Sequence, residues 1–196
     1  MPFVKNSVKV INDQLTENLL RSKTFSEGKV YGLVELTQQN TESGVQRYPV
    51  ELVDGYVKDV TVNDTYPFQL YHRQLGANYE FEAENQYGDA NNYIQKSVNM
   101  VMVAYAKLTK LGLTSDELET MLILASPTEV SKTLLAGTNV DSLVVSVTGS
   151  ELDSFTNYGE EYQNVEFPLG QEDALIKISY TMVMQYRRDC IDLCDC

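Results

Sequence analysis

Residues 176–187 read IKISYTMVMQYR, and their alternation decides the fold. Ile176, Ile178, Tyr180, Met182, Met184 and Tyr186 alternate with Lys177, Ser179, Thr181, Val183, Gln185 and Arg187. Successive side chains of a strand point to opposite faces, so this period of two predicts one strand with an apolar face. At about 3.3 Å per residue, a strand of ~13 residues spans roughly 43 Å, well past the usual 5–6 residues. Such a strand is expected to run beyond its own domain at one end and to pair with another chain. Ile176, Ile178, Tyr180, Met182, Met184, Tyr186 and Arg187 are therefore candidate subunit-interface residues.

Working back from this strand, Leu143, Val145 and Val147 alternate within a run of strand formers. A long polar, Gly-punctuated loop, SELDSFTNYGEEYQNVEFPLGQED, separates the two. Tyr79, Phe81 and Ala83 alternate with Glu80, Glu82 and Glu84, which predicts a half-buried strand with one carboxylate face. Further strands are expected over Val30–Thr37, Tyr48–Leu52, Tyr56–Val62 and Phe68–Leu75. Gln39–Gly44 reads as a polar loop, and Asp54-Gly55 as a tight turn.

Helical spacing occurs in two places. Val4, Val8, Ile11, Leu15 and Leu19 predict an amphipathic helix over roughly residues 5–22, with Asn6 or Ser7 as cap. Ile94, Val98, Val101, Tyr105 and Leu108 recur at 4, 3, 4, 3, which predicts a second helix stopped by Gly112. Thr114-Ser115-Asp116-Glu117 is a capping box opening a short helix through Leu124, and Ser126-Pro127-Thr128-Glu129 a second one, for a helix ending at Gly137. Segregated runs of helix and strand indicate an α+β fold. The expectation is a mostly antiparallel sheet with an N-terminal helix and a central helical segment packed on it. Residues 1–188 read as a single domain and 189–196 as a Cys/Asp-rich tail.

The chain has 196 residues, enough to bury a core without staples. Its formal net charge of −13 argues against sequence-independent nucleic-acid binding, which needs a Lys/Arg stripe. The same charge disfavours anionic membranes. Its plain meaning is solubility; its sharper meaning is a surface that repels DNA passing by. No apolar run of about 18 residues exists, and the N-terminus lacks the apolar region of a signal peptide.

Recognised catalytic patterns are missing from the sequence. His72 is the sole histidine, set in QLYHRQL with no nucleophile motif near it, and reads as a surface or interface side chain. No Gly-x-Gly-x-x-Gly, Walker or Gly-x-Ser-x-Gly motif occurs. Cys190, Cys194 and Cys196 crowd the C-terminus among Asp189, Asp192 and Asp195, which raises thiol pKa. Three thiols at this spacing fit no common zinc knuckle. No catalytic, cofactor-binding or metal residue is assigned. Glu80, Glu82 and Glu84 read first as a solvated face, and otherwise as a cation site or an acidic lumen.

In its order of elements, the chain resembles the tail-terminator and neck-ring proteins of tailed bacteriophages. The segment SLVVSVTGSELD…FPLGQEDALIKISYTMVMQYR resembles the strand–loop–strand close of that family. The Asn- and Tyr-rich style is also similar to structural proteins of crAss-like phages. The resemblance implies a non-enzymatic virion protein forming a homo-oligomeric ring between portal or adaptor and tail. Its partners would be copies of itself, other neck and tail proteins, and passing DNA held without specific contacts, with no membrane. The three-cysteine tail is not part of the family pattern. Two other readings stay open: a small protein-binding or injection-system adaptor outside a virion, and a metal-dependent enzyme built on clustered carboxylates.

The apolar face of the closing strand yields a first prediction. Tyr180→Asp or Met182→Asp places a charge on that face at a cost of several kcal/mol. Each variant is expected to lose folding or assembly, read by thermal melting and oligomer size; two variants unchanged in both measures would refute the assignment.

Overall fold

A computed structural model describes residues 2–20, 25, 27–42, 44–53, 56–60, 62, 65–81, 93–130, 132–136, 140–153 and 173–187. Helix α1 (Pro2–Leu20) leads into strands β1 (Lys29–Thr41), β2 (Gly44–Val53), β3 (Tyr56–Asp59), β4 (Phe68–Phe81) and β5 (Tyr93–Lys107). Helices α2 (Leu108–Leu111) and α3 (Ser115–Ala125) follow, then β6 (Glu129–Val130), β7 (Ser142–Asp153) and β8 (Asp173–Arg187). All eight strands join one sheet in the order β3-β2-β1-β4-β5-β8-β7-β6. Every neighbouring pair is antiparallel except β1 and β4, which run parallel. With β5 taken as pointing up, β7 and β2 also point up, while β8, β4, β1, β6 and β3 point down. The molecule is thus α+β with a mostly antiparallel sheet and an N-terminal helix.

Burial follows from two-fold alternation. Val98, Met100, Met102, Ala104 and Ala106 of β5 face the helices together with Ile176, Ile178, Tyr180, Met182 and Met184 of β8. Val4, Val8, Ile11, Leu15 and Leu19 of α1 pack onto that face, joined by Leu118 and Leu122 of α3. On the opposite face Val101, Val103, Tyr105 and Leu175 meet Tyr31 and Tyr71, covered by Val60 and Val62 of the crossover from β3 to β4. The centre of the sheet is therefore buried on both sides.

Several expectations are corrected here. Of the expected helix only Leu108 is helical, as the first residue of α2; residues 94–107 belong instead to the strand β5. Because both of its faces are buried, apolar residues occupy consecutive positions from Met100 to Ala106, and a helical period can be read into them. The central helical segment is accordingly short: four residues of α2, closed by Gly112 at φ 66°, and eleven of α3. The helix expected from Ser126 to Gly137 does not form. Ser126 caps α3, and Thr128 O accepts from Val145 N at 2.9 Å, which commits this backbone to the sheet. The loop expected at 39–44 is a tight hairpin, with Thr41 paired to Gly44 and Gly44 at φ 123°. The two strands expected at 68–75 and 79–84 are one strand, β4, bulged at Leu75; residues 82–84 lie outside the described set. Helix α1 begins at Pro2, so Asn6 and Ser7 are interior to it rather than caps.

The capping box at Thr114 does form. Its hydroxyl accepts from Glu117 N at 3.3 Å, and its own N–H donates to Glu117 Oε2 at 2.8 Å. The Thr114 N–H, and its hydroxyl at 2.9 Å from the same Oε2, hold the Glu117 carboxyl below its usual pKa. Two leucines of the helix this box opens provide a test: Leu118 is fully buried, whereas Leu124 is 78% exposed. Leu118→Ala is expected to cost about 2–5 kcal/mol in urea unfolding, and Leu124→Ala less than about 0.5 kcal/mol.

Candidate functional site

The apolar stripe of α1 is interrupted by two buried polar side chains, Ser7 and Asn12. Ser7 Oγ lies 3.2 Å from Met184 Sδ. Asn12 Nδ2 donates to Tyr31 O at 2.8 Å, so Asn12 Oδ1 is left to accept from His72 Nε2 at 2.7 Å. His72 Nδ1 then accepts from the Tyr180 hydroxyl at 2.7 Å. The partners thus assign the neutral Nε2–H tautomer. The rings of His72 and Tyr180 meet edge to face at 5.8 Å. Complete burial lowers the His72 pKa to about 3 and pushes the Tyr180 phenol far up. Both groups are therefore uncharged across ordinary pH. A fully enclosed neutral imidazole with two satisfied nitrogens has no route to a substrate; its work is to bind α1 to β1, β4 and β8.

His72 is thus a core residue, not the surface or interface side chain expected. The signal was present in the sequence: Phe68, Leu70 and His72 share one strand parity, and the first two are apolar. Asn12 and Tyr180, its partners 60 and 108 residues away, carry no local signal.

Of the proposed interface residues, Ile176, Ile178, Tyr180, Met182 and Met184 are at most 4% exposed. They fill the chain's own core and offer nothing to a second subunit. Nor does β8 project from the domain, because β5 and β7 take both of its edges. Tyr186 and Arg187 pair with Ile94 and Tyr93 through the backbone, and their side chains lie outside the described set. Glu80 pairs with Gln95 in the β4–β5 ladder. The Glu80 side chain, Glu82, Glu84, Cys190, Cys194 and Cys196 lie outside the described residues. Among the described residues, no group of three or more His, Cys, Asp or Glu is placed to hold a metal ion. No helix among them is long and apolar enough to cross a membrane.

Two surface features occur beside the core. A cleft of about 420 Å³ lies between α1 and the β1–β2 pair, lined by Lys5, Lys9, Asp13, Tyr31 and Glu51 among others. Glu51 Oε1 accepts from Gly32 N at 2.6 Å, and a Cβ at position 32 would sit 2.6 Å from that oxygen, so glycine there gives the carboxylate its seat. Burial raises the Tyr31 phenol, with Tyr66, Glu51 and Asp59 adding to the effect. Charges of both signs line this cleft, and they do not form a nucleophile–base set. A second groove, of about 430 Å³, opens between Leu33–Leu36 and Arg73–Leu75, where β1 and β4 part.

The remaining features are edges. β6 pairs only with Leu143 and Val144, so β7 continues to Asp153 with no strand beyond it among the described residues. Val144, Val147 and Leu152 are 40%, 38% and 46% exposed along it. At the other limit of the sheet the short strand β3 exposes Tyr56 and Val57 at 79% and 67%. The chain matches no protein-family model and no curated protein sequence.

The His72 network makes stability depend on pH. The folded pKa of about 3 lies below the ordinary 6.5 of the unfolded chain, so stability is complete above pH 6.5 and falls as pH drops from 6.5 towards 3. From pH 7 to pH 5 the loss from this group is expected to be about 2 kcal/mol. Urea unfolding at pH 7, 6 and 5 measures it. His72→Gln is expected to be less stable at pH 7 but to lose most of that slope; a wild-type slope retained in the variant assigns it to other groups.

Proposed function

We propose that this chain is a non-enzymatic structural protein of a tailed-phage virion, a homo-oligomeric ring in the neck or tail that joins portal or adaptor to tail and lets DNA pass. The observation that carries this reading is the element order. An N-terminal helix lies on a mostly antiparallel sheet of long strands, with a short capped helix after β5 and two paired closing strands, the last of 15 residues. That order is similar to the tail-terminator arrangement. Buried His72, held neutral between Asn12 and Tyr180, braces α1 on the sheet, a structural use of the chain's one histidine.

The charge supports the same reading. At −13, the ring would present DNA with a surface that repels phosphate, so that DNA slides without being held. Glu80, Glu82 and Glu84 remain the candidate lumen face. Contacts between subunits fall to surfaces other than the apolar face of β8, with Tyr186 and Arg187 at the end of that strand as candidates.

Native mass spectrometry at high protein concentration tests this. The expected result is a closed oligomer of one stoichiometry, seen as an annulus by negative-stain microscopy, that does not retain duplex DNA on a filter at physiological salt. A strict monomer that recruits no portal, adaptor or tail component overturns the proposal.

A further inference from the structure

The two limits of the sheet are complementary to each other. Val145 N donates to Thr128 O, away from β8, which fixes the outward direction of the β7 backbone. Two-residue alternation carries that direction to Val147 and, past the bulge between Val147 and Gly149, to Ser150 and Leu152. These peptide groups have no strand against them among the described residues. On the far side, Val60 N donates to Pro49 O, so Tyr56 and Lys58 bond inward to β2 and Val57 faces out. β7 points up and β3 points down, and two copies set side by side in the same sense bring these edges together antiparallel. A long, exposed edge without lysine or proline is the sort of strand that natural sheets otherwise protect.

Charge selects which edges meet. Ser142–Asp153 contains Glu151 and Asp153 and no Lys or Arg, and Glu119 and Glu129 lie beside it, Glu119 bonded to Ser150. Two β7 edges paired with each other would bring these carboxylates together. The β3 edge carries Lys58 next to Asp59, and Lys5 of α1 donates to Leu52 O beside it at 2.9 Å. With Lys5, Lys9 and Lys58 set against Asp13, Glu51 and Asp59, the neighbourhood of this edge is near neutral where the β7 edge is acidic, so pairing β7 with β3 avoids the repulsion of a β7–β7 contact.

We propose that the β7 edge of one copy pairs antiparallel with the β3 edge of the next, continuing the sheet from subunit to subunit. The occupant of each edge is a second copy of this chain. Because the contact joins two different patches, it repeats head to tail and closes into a ring or runs on as a filament. The inference rests on the ring reading and names the surfaces that would build it.

Blocking one edge at a time tests it. Leu152→Pro and Val147→Lys act on β7, and Val57→Pro on β3, each removing an outward N–H or adding an edge charge while leaving the inner ladder in place. Circular dichroism and thermal melting verify that each variant is folded; Val147→Lys keeps the test usable where a proline variant does not fold. Each variant alone is expected to be a monomer by native mass spectrometry, and an equimolar mixture of a β7 variant with Val57→Pro a 1:1 dimer, because one intact edge of each kind remains. If β7 variants are monomers while Val57→Pro stays a dimer, β7 pairs with itself and the inference is overturned. If the wild type is a ring that no variant disturbs, the ring reading stands and the edge inference falls. A strictly monomeric wild type overturns both.

Discussion

Fifteen consecutive residue pairs hold β5 against β8, from Tyr93↔Arg187 to Lys107↔Asp173, and the rest of the structure is arranged around that ladder. It places two long strands with the same parity side by side. One face then presents a continuous apolar strip to the helices, and the other a shorter strip to the crossover between β3 and β4. Burial on both faces is what lets a chain of this charge remain compact. Among the described residues no Asp or Glu is buried, and Lys96 is the one buried residue with an ionised side chain.

The same constraint explains what could be read from sequence. The alternation is legible because over 176–185 each outward residue is less buried than its inward neighbour, so period two stands out. Helix α1 was legible for the matching reason, with Lys5, Lys9 and Asp13 exposed between apolar turns. β5 was not, since burial on both faces erases the contrast that periodicity needs. What decides it is the pairing with β4 and β8, across separations of tens of residues, and no local window contains that information. The free edges were illegible for a related reason: a strand becomes an edge only through the order of all eight. Strand length singles out β8, whereas position in the sheet leaves β7 and β3 at its limits among the described residues.

His72 shows how a polar group can serve a core without acting on anything. Its bond to Asn12 fixes the position of α1 along the sheet, because sliding the helix by one turn would leave an imidazole N–H and a carboxamide unsatisfied together. Apolar contacts alone would tolerate such a slip more easily. The network therefore specifies a register that hydrophobic burial only favours.

The parallel seam between β1 and β4 has its own consequence. Their register covers Lys29↔Gln69 and Val30↔Leu70, is interrupted, and resumes for Leu33↔His72 and Val34↔Arg73 before the strands diverge. Every other long junction in the sheet is an antiparallel ladder of at least eight pairs. This is the thinnest ladder among the long junctions, and the β1–β2–β3 side is otherwise held by the grip of α1 and by Tyr31 and Val34 packed with Tyr71, Val101 and Val103. Sub-global opening is expected to start at this seam, with amide protection higher in the β4–β5–β8–β7 slab than in β1–β2–β3.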